Sequence, residues 1–386
     1  MFFNALVRIR AALLLLLAAG STATAQVDSA YVQRTIGQLC APALHGRGYV
    51  QNGMGKAADY LAASLQAMGL AAQQQSFSMP VNTFPGVVQL RLGDRELVPG
   101  RDFLVAPASG SYRGSSSLKV YDSTTYVTED RGLLLERVQK LTWSVAPVQQ
   151  PYAAVQVLAS AWPNEAGPVQ AHIQAVHVPS FEARNVLAMV PGTRQPDSLI
   201  VFTAHYDHLG RMGQQALFAG ANDNASGVAL LLALADHYRR QPAPYSIAFL
   251  FFGAEEAGLV GSEYFVKHPL IDLQKIRFLL NLDLMGNGEE GMTVVNATAF
   301  PEAFSLLQQL NGKAGYLPTI NARGKARNSD HYWFTERGVP SFFWYTLGAR
   351  KAYHDVDDVP ETLPLYKVRE IGQLIFDFVA ALTAAH

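Results

Sequence analysis

Residues 198–210 of this chain read SLIVFTAHYDHLG, an apolar run that ends in a cluster of histidine and aspartate. Four other runs are equally rich in Val, Ile, Leu and Phe: NVLAMV (185–190), YSIAFLFF (245–252), IRFLLNLDL (276–284) and VPSFFWY (339–345). Such runs are typical of strands buried on both faces of a sheet. Helical patterns lie between or after them, at 224–240, 261–268, 302–313, 329–337 and 364–384. Strands that alternate with helices predict an α/β three-layer sandwich with a mixed, largely parallel central sheet.

The chain before this α/β pattern has a different texture. Residues 52–70 predict one amphipathic helix, because apolar side chains recur there at helical spacing. From about 85 to 180, clusters of Pro, Gly and Ser separate short alternating runs such as VVQLRL (87–92). This texture predicts a β-rich insertion. We therefore expect residues 26–386 to form one large domain that carries an insertion.

The first 25 residues predict an export signal. Arg8 and Arg10 precede a short apolar run at 11–19, and Ala23-Thr24-Ala25 is a typical cleavage site. The apolar run is much shorter than the ~20 residues that span a bilayer. We expect a periplasmic or extracellular protein, released by cleavage near Ala25, whose mature chain has no membrane span.

Composition excludes several classes of protein and site. The 386 residues contain one cysteine, Cys40, so an intramolecular disulfide and a cysteine-rich zinc site are both excluded. Any metal must then be held by histidine and carboxylate. The 30 basic and 31 acidic side chains nearly balance, which leaves no net field to attract nucleic acid.

Polar residues cluster where the apolar runs end. They are His205, Asp207, His208, Asp223, Glu255, Glu256, Asp283 and His354. An ionised, unpaired aspartate inside an apolar run, as Asp283 is, would cost several kcal/mol, and no Lys or Arg recurs beside these strand ends. Imidazole and carboxylate without thiolate favour zinc, with Mn²⁺ or Co²⁺ as substitutes. The ligands outnumber those of one tetrahedral zinc and fit two metals that share a carboxylate.

The motifs resemble those of a known family. They are AHYDHLG (204–210), GANDNASG (220–227), FFGAEEAG (251–258), NLDLMG (281–286), SDHYWFTERGVP (329–340) and YHDVDD (353–358). In this order they are similar to the co-catalytic zinc aminopeptidase family, which includes bacterial leucyl aminopeptidases, glutamate carboxypeptidase II and glutaminyl cyclases. The resemblance covers about 184–386, with a weaker echo at 39–70, and it implies a zinc-exopeptidase-like fold.

The resemblance also implies a role for each residue of the cluster. Asp223 would bridge two zinc ions, His205 and Asp283 would complete the ligands of one, and Glu256 and His354 those of the other. Glu255 would be the general acid/base. Asp207 would orient the ring of His205, and Asp358 would do the same for His354.

The implied activity is hydrolysis of the N-terminal peptide bond of peptides or proteins by a secreted exopeptidase. Two zinc ions would activate the attacking water, and Glu255 would take its proton and pass it to the departing amine. The alternative is a glutaminyl cyclase, which forms pyroglutamate with a single zinc. The intact Glu255-Glu256 pair, the NASG after Asp223 and Tyr353 before the last histidine favour hydrolysis. A metal-free binding module would need a lost ligand, and no ligand is lost.

Other polar residues near the motifs have less defined roles. His208 is expected to line the site or the turn rather than to bind metal. Asp330 and His331 in SDHYWF are candidates for a direct role. Tyr345 could reach the pocket from a strand end, and Arg350-Lys351 could bind a substrate carboxylate, although solvated loop charge is the simpler interpretation.

Overall fold

The structure is a computed structural model that describes residues 26–163 and 167–384. The export signal predicted for residues 1–25 lies outside the described residues. The helices are α1 Ser29–Leu39, α2 Gly53–Ala67, α3 Gly227–Arg240, α4 Val260–Lys267, α5 Pro301–Ala314, α6 His331–Thr335 and α7 Val368–Ala384. Single 3-10 turns occur at Pro42–Arg47, Leu273–Lys275 and Pro360–Thr362. None of the helices in the described part of the chain has the length and apolar character that a membrane crossing requires.

The strands fall into two groups along the chain. The first group is β1 Gln73–Thr83, β2 Val88–Leu92, β3 Arg95–Leu97, β4 Phe103–Val105, β5 Tyr112–Ser116, β6 Leu118–Val120, β7 Thr125–Thr128, β8 Leu133–Val138, β9 Ala153–Leu158 and β10 Val169–Ile173. The second group is β11 Val176–Val190, β12 Gln195–His205, β13 Gly210–Met212, β14 Ala216–Phe218, β15 Tyr245–Phe252, β16 Ile276–Leu282, β17 Gly291–Val295, β18 Ile320–Ala322 and β19 Ser341–Leu347.

An eight-stranded sheet forms the centre of the molecule, in the order β1-β11-β15-β12-β16-β19-β17-β18. Strands β15, β12, β16 and β19 are parallel neighbours, whereas β1, β11 and β17 pair antiparallel. The predicted runs at 185–190, 198–205, 245–252, 276–284 and 339–345 all lie in this sheet. The short strands β17 and β18 were not predicted, because so few residues carry no clear periodicity.

The two faces of the central sheet bury different helices. Along β15, Ile247, Phe249 and Phe251 pack into the core that contains α1, α2, α3, α5 and α7, while the intervening residues face α4 and α6. This alternation follows from the period of two in a strand, and a strand buried on both faces must be apolar throughout. The arrangement of helix layer, mixed sheet and helix layer confirms the predicted three-layer fold.

Residues 84–173 build a second core beside this sandwich. One sheet has the order β3-β2-β10-β5 and another has the order β4-β9-β8-β7-β6. Their apolar residues form one cluster with Leu209, Met212 and Phe218 of the β13–β14 hairpin. The hairpin follows directly after β12, so the small β core lies against the end of the central sheet that carries the histidine motif.

Candidate metal centre

The cluster residues lie at the carboxyl ends of the parallel strands, where α/β sheets place their ligand sites. His205 is the last residue of β12 and is in register with Phe252, the last residue of β15. Asp283 directly follows β16, and Glu255 and Glu256 are the third and fourth residues after β15. Asp223 enters from the irregular turn Ala221–Ser226, and His354 from the loop after β19.

Asp223 lies between two imidazole rings. Its Oδ1 is 3.3 Å from His205 Nε2, and its Oδ2 is 3.1 Å from His354 Nε2. Each ring nitrogen also faces a second carboxylate: His205 Nε2 is 3.4 Å from Asp283 Oδ2, and His354 Nε2 is 3.1 Å from Glu256 Oε2. The structure therefore brings together all five predicted metal ligands, as two triads that share Asp223.

The distances at His205, 3.3 and 3.4 Å, match the spacing of zinc ligands, whereas those at His354, 3.1 Å, lie between that spacing and the length of a direct ion pair. Charge-assisted N–H···O bonds are ~2.7–2.9 Å long, whereas two ligand atoms of a zinc tetrahedron with bonds of ~2.0–2.2 Å lie about 3.3–3.6 Å apart. Asp283 Oδ1 is buried and has no hydrogen-bond partner among the described residues. A buried carboxylate oxygen without a donor is costly unless a cation compensates it. His205, Asp223 and Glu256 form one group whose ligand atoms lie within 4.8 Å of one another.

Glu255 lies close to the same ligands. With His205 and Asp283 it forms a second group whose ligand atoms are all within 4.8 Å of one another. The geometry alone thus allows Glu255 either to bind a metal or to stand beside one.

The electrostatics of the cluster attract positive charge. Burial opposes protonation of His354, but Glu256 and Asp223 raise the pKa of His354 to about 11. Burial opposes ionisation of Asp223, but its contacts with His205 and His354 hold the pKa of Asp223 well below its usual range. Metal binding displaces protons from such imidazoles. A divalent cation can therefore take the place of this protonic charge.

Asp207 holds the loop after β15 more directly than it holds His205. Its carboxylate accepts hydrogen bonds from Glu255 N (3.0 Å), Glu256 N (3.3 Å) and the Tyr49 hydroxyl (2.9 Å). The Nδ1 of His205 is 3.2 Å from the carbonyl oxygen of Asp207 and 3.8 Å from its carboxylate. The ring is therefore oriented by the main chain of Asp207, while the Asp207 side chain positions the two glutamates.

Asp358 makes no hydrogen bond or ion pair with His354, contrary to the role that the resemblance implied. Its carboxylate accepts hydrogen bonds from Asn222 N (2.9 Å) and Asp223 N (3.0 Å). The Nδ1 of His354 instead lies 2.9 Å from the carbonyl oxygen of Trp143. Asp358 thus fixes the turn that presents the bridging carboxylate.

His208 positions a ligand of the cluster. Its Nδ1 is 2.8 Å from Glu256 Oε1, the oxygen that does not face His354. Both oxygens of Glu256 are therefore occupied by imidazoles. The expectation that His208 lines the site agrees with this contact, but its specific partner was not foreseen.

Arg47 is a second residue that sequence reasoning missed. It is fully buried, and its guanidinium donates to the carbonyl oxygens of Leu39, Tyr206, Ala219, Gly220 and Asp223. The Leu39 carbonyl ends α1, and the other four lie beside the strand end of His205 or in and just before the turn of Asp223. Arg47 and Tyr49 lie in the stretch 39–70 that echoed the family, which was the available signal.

A pocket of about 290 Å³ opens beside the cluster. Five cluster residues line it, namely His205, Asp223, Glu255, Asp283 and His354, together with Leu284, Arg323, Asn328, Phe343, Tyr345 and Tyr353. Tyr345 thus reaches the pocket. Arg350 and Lys351 do not line it and donate to the carbonyl oxygens of Asp357 and Gly348, as expected of loop charge.

Asp330 and His331 are buried behind the cluster. Burial raises the pKa of Asp330 to about 7, although His205 opposes this shift. Burial lowers the pKa of His331 to about 3. Neither residue lines the pocket.

Comparisons with known proteins place this geometry in a family. The profile of peptidase family M28 matches residues 185–379. Aminopeptidase YwaD of Bacillus subtilis (strain 168) is 28% identical over 190 residues, which cover 47% of this chain and 40% of that protein. Leupeptin-inactivating enzyme 1 of Streptomyces exfoliatus is 32% identical over 160 residues, which cover 40% of this chain and 34% of that protein. The matched stretch thus spans less than two thirds of the length of these curated relatives.

Two kinds of solved structure share the fold. BSAP, a zinc aminopeptidase from Bacillus subtilis, superposes with a TM-score of 0.71 at 20% identity and covers 93% of this chain and 96% of that one. A glutaminyl cyclase from an Acidobacteriales bacterium superposes with a TM-score of 0.61 at 17% identity and covers 96% and 99%. At these identities the likeness concerns the fold alone. Since the family profile spans half of the sequence and the motif resemblance is confirmed by it, this chain belongs to peptidase family M28.

Proposed function

We propose that the chain is an exported, zinc-dependent aminopeptidase that removes the N-terminal residue of peptides or proteins. One observation carries the proposal: Asp223 presents one oxygen to each of two imidazoles, and each imidazole faces a further carboxylate at 3.1–3.4 Å. Two triads that share a carboxylate are the arrangement that two-metal hydrolases use. Aminopeptidases are among the relatives by sequence and by fold, which supports the same reaction.

His205, Asp283 and Asp223 would hold one zinc ion, and His354, Glu256 and Asp223 the other. Bound zinc would lower the pKa of a water and polarise the carbonyl of the scissile bond. The Nδ1 of each histidine faces a main-chain carbonyl, so each Nε2 is left free to act as a ligand. His208 and the turn bound by Asp358 hold Glu256 and Asp223 in place.

Glu255 is the proton carrier of the proposed reaction. Burial raises the pKa of Glu255 well above its usual value, against the opposing effect of His205, and Glu256 and Asp330 raise it further. A carboxylate with a raised pKa can accept a proton from water and return it to the departing amine. Its backbone N–H donates to Asp207 at 3.0 Å, which fixes the residue at the strand end.

A glutaminyl cyclase is the second candidate. Asp330 lies behind the cluster rather than in the pocket, and burial raises its pKa to about 7, so that a second acid able to exchange a proton near neutral pH stands near Glu255. A cyclisation needs such proton transfer but needs no attacking water. The glutaminyl cyclase with a similar structure supports this alternative only through its shared fold.

Mass spectrometry on two peptides distinguishes the reactions. The zinc-loaded protein is incubated with a leucyl peptide and with a glutaminyl peptide. The aminopeptidase proposal expects release of free leucine from the first. Loss of ammonia from the second, with the leucyl peptide intact, would replace the proposal by the cyclase.

A further inference from the structure

The β-rich insertion reaches the candidate metal centre through Trp143. This residue lies in the extended segment 139–152 between β8 and β9, outside the stretch that matches the family profile. Its N–H donates to the carbonyl oxygen of His354 at 2.9 Å, and its own carbonyl oxygen lies 2.9 Å from His354 Nδ1. The main chain of one residue of the insertion thus contacts both the main chain and the ring of a predicted metal ligand.

The position of Trp143 is itself fixed by the insertion. Its side chain is 6% exposed and stacks on Phe218 with ring centroids 4.6 Å apart. Its Nε1 donates to the carbonyl oxygen of Val105 at 2.8 Å. Farther along the segment, the carbonyl oxygen of Ala146 accepts a hydrogen bond from Asn82 N at 2.8 Å. The carbonyl that faces His354 is therefore held by a packed core and not by a free loop.

His354 requires such support more than His205 does. His354 lies in a loop without helix or strand and has a φ of 54°, a left-handed conformation that costs free energy for a residue with a side chain. His205 ends a central strand, and its ring is oriented by a carbonyl two residues away. The two halves of the cluster thus differ in what holds their histidines.

We propose that Trp143 is a positioning residue through which the insertion sets the metal affinity of the half-site formed by His354 and Glu256. The inference rests on the proposed zinc site. A ring that donates its Nδ1–H to Trp143 presents an unprotonated Nε2 toward Asp223 and Glu256, each 3.1 Å away. Loss of the group that orients a metal-binding histidine typically costs 10–100-fold in metal affinity.

Calorimetric zinc titration of the metal-stripped full chain tests the proposal. The wild type is expected to bind two zinc ions. Trp143→Leu, which keeps an apolar side chain but loses the stacking and the bond to Val105, should weaken one of the two sites about 10–100-fold and leave the other within about twofold. Trp143→Phe keeps the stacking on Phe218 and should restore most of the affinity.

Trp162 offers a matched control in the same insertion. It packs on Tyr126 with ring centroids 4.6 Å apart and against the same core, but no hydrogen bond or ring contact joins it to His354. Trp162→Leu should therefore leave both zinc affinities within about twofold. Equal weakening of both sites by Trp143→Leu, no weakening, or the same pattern from Trp162→Leu would overturn the inference.

A measurement on the wild type adds a readout that does not depend on how the Trp143 variants fold. In ¹⁵N-histidine-labelled, zinc-loaded protein, His354 should carry its proton on Nδ1, identified by the signal that His354→Gln removes. A proton on Nε2 would overturn the inference. A wild type that binds no zinc would instead refute the proposed function, so that the two failures are distinguishable.

Discussion

Glu255 and Glu256 are neighbours in sequence, but their surroundings separate their chemistry. Burial acts to raise the pKa of both. For Glu256, the contacts with His354 and His208 outweigh burial and the charge of Asp223, and its pKa falls to about 2. For Glu255, burial prevails over His205, and the pKa is raised well above its usual value. Two carboxylates whose environments push their pKa values apart are suited to different tasks: Glu256 to bind a cation and Glu255 to move a proton.

Glu255→Gln should retain both zinc ions and lose about 10²–10⁴-fold in turnover, because the amide keeps the shape but cannot carry the proton. Zinc content by elemental analysis and kcat on a leucyl peptide check this. Full zinc content with nearly wild-type turnover would remove Glu255 as the proton carrier. Loss of one zinc ion would show that Glu255 is a ligand, as its grouping with His205 and Asp283 permits.

At the scale of single residues, we expect Arg47 to stabilise the fold. Its charge is fully buried and is met by main-chain carbonyls of the strand end and turn that carry His205 and Asp223. Arg47→Met removes the guanidinium donors from these carbonyls, and we expect the free energy of unfolding to fall by about 3 kcal/mol or more. Arg240, which is exposed, is the control, and Arg240→Met should change the free energy of unfolding by less than about 0.5 kcal/mol. Denaturant unfolding of both variants gives the comparison; similar small losses would contradict the role of Arg47.

At the scale of elements, the site is assembled from strand ends and two loops. The strands place His205 and Asp283 directly, whereas Asp223 and His354 depend on how the turn 221–226 and the loop 353–358 dock on each other. The segment before α2 also needs glycine, because it passes close to the main chain at Gly210. A Cβ on Gly48 would lie 2.3 Å from the Cα of Gly210, so a side chain there would push Arg47 and Tyr49 away from the site.

Asp358→Ala should weaken the binding of both zinc ions, because it releases the turn that presents the shared ligand Asp223. We expect a loss of about 10–100-fold at each site in a calorimetric titration. This differs from Trp143→Leu, which should affect one site. Asp357→Ala removes an exposed neighbouring charge and is the control. A wild-type affinity in Asp358→Ala, or weakening of one site alone, would contradict the expectation.

At the scale of the whole molecule, the cluster concentrates buried acids that need positive charge. Coulombic contact with Asp283 and Glu255 outweighs burial and raises the pKa of His205 well above its usual value, and the pKa of His354 is raised to about 11. A histidine whose folded pKa exceeds the unfolded value of ~6.5 stabilises the fold fully below pH 6.5. This contribution is lost as the pH rises toward the folded pKa.

The zinc-free protein should therefore become less stable between pH 6.5 and pH 9. Zinc replaces the protons, so the gain in Tm on adding zinc should increase over this range. Thermal unfolding with and without zinc at several pH values measures both effects. A gain in Tm that is constant with pH, or a zinc-free Tm that rises with pH, would contradict the role of the two histidines. His354→Gln, which cannot hold the proton, should show a smaller change with pH.

The sequence by itself determined the α/β sandwich and the chemistry of the cluster. Apolar runs buried on both faces are visible as composition, and three of the five predicted ligands, His205, Asp283 and Glu256, lie within four residues of the end of a central strand. The export signal and the roles of the individual ligands stay predictions.

Only the tertiary structure decided how the ligands are held. Tyr49 reaches Asp207, Asp358 reaches Asn222, and Trp143 reaches His354, each across more than a hundred residues of sequence. Two of these contacts use main-chain groups of at least one partner. Every residue carries main-chain groups, so the residue type does not predict which of them will make such a contact. The packing of distant segments decides this.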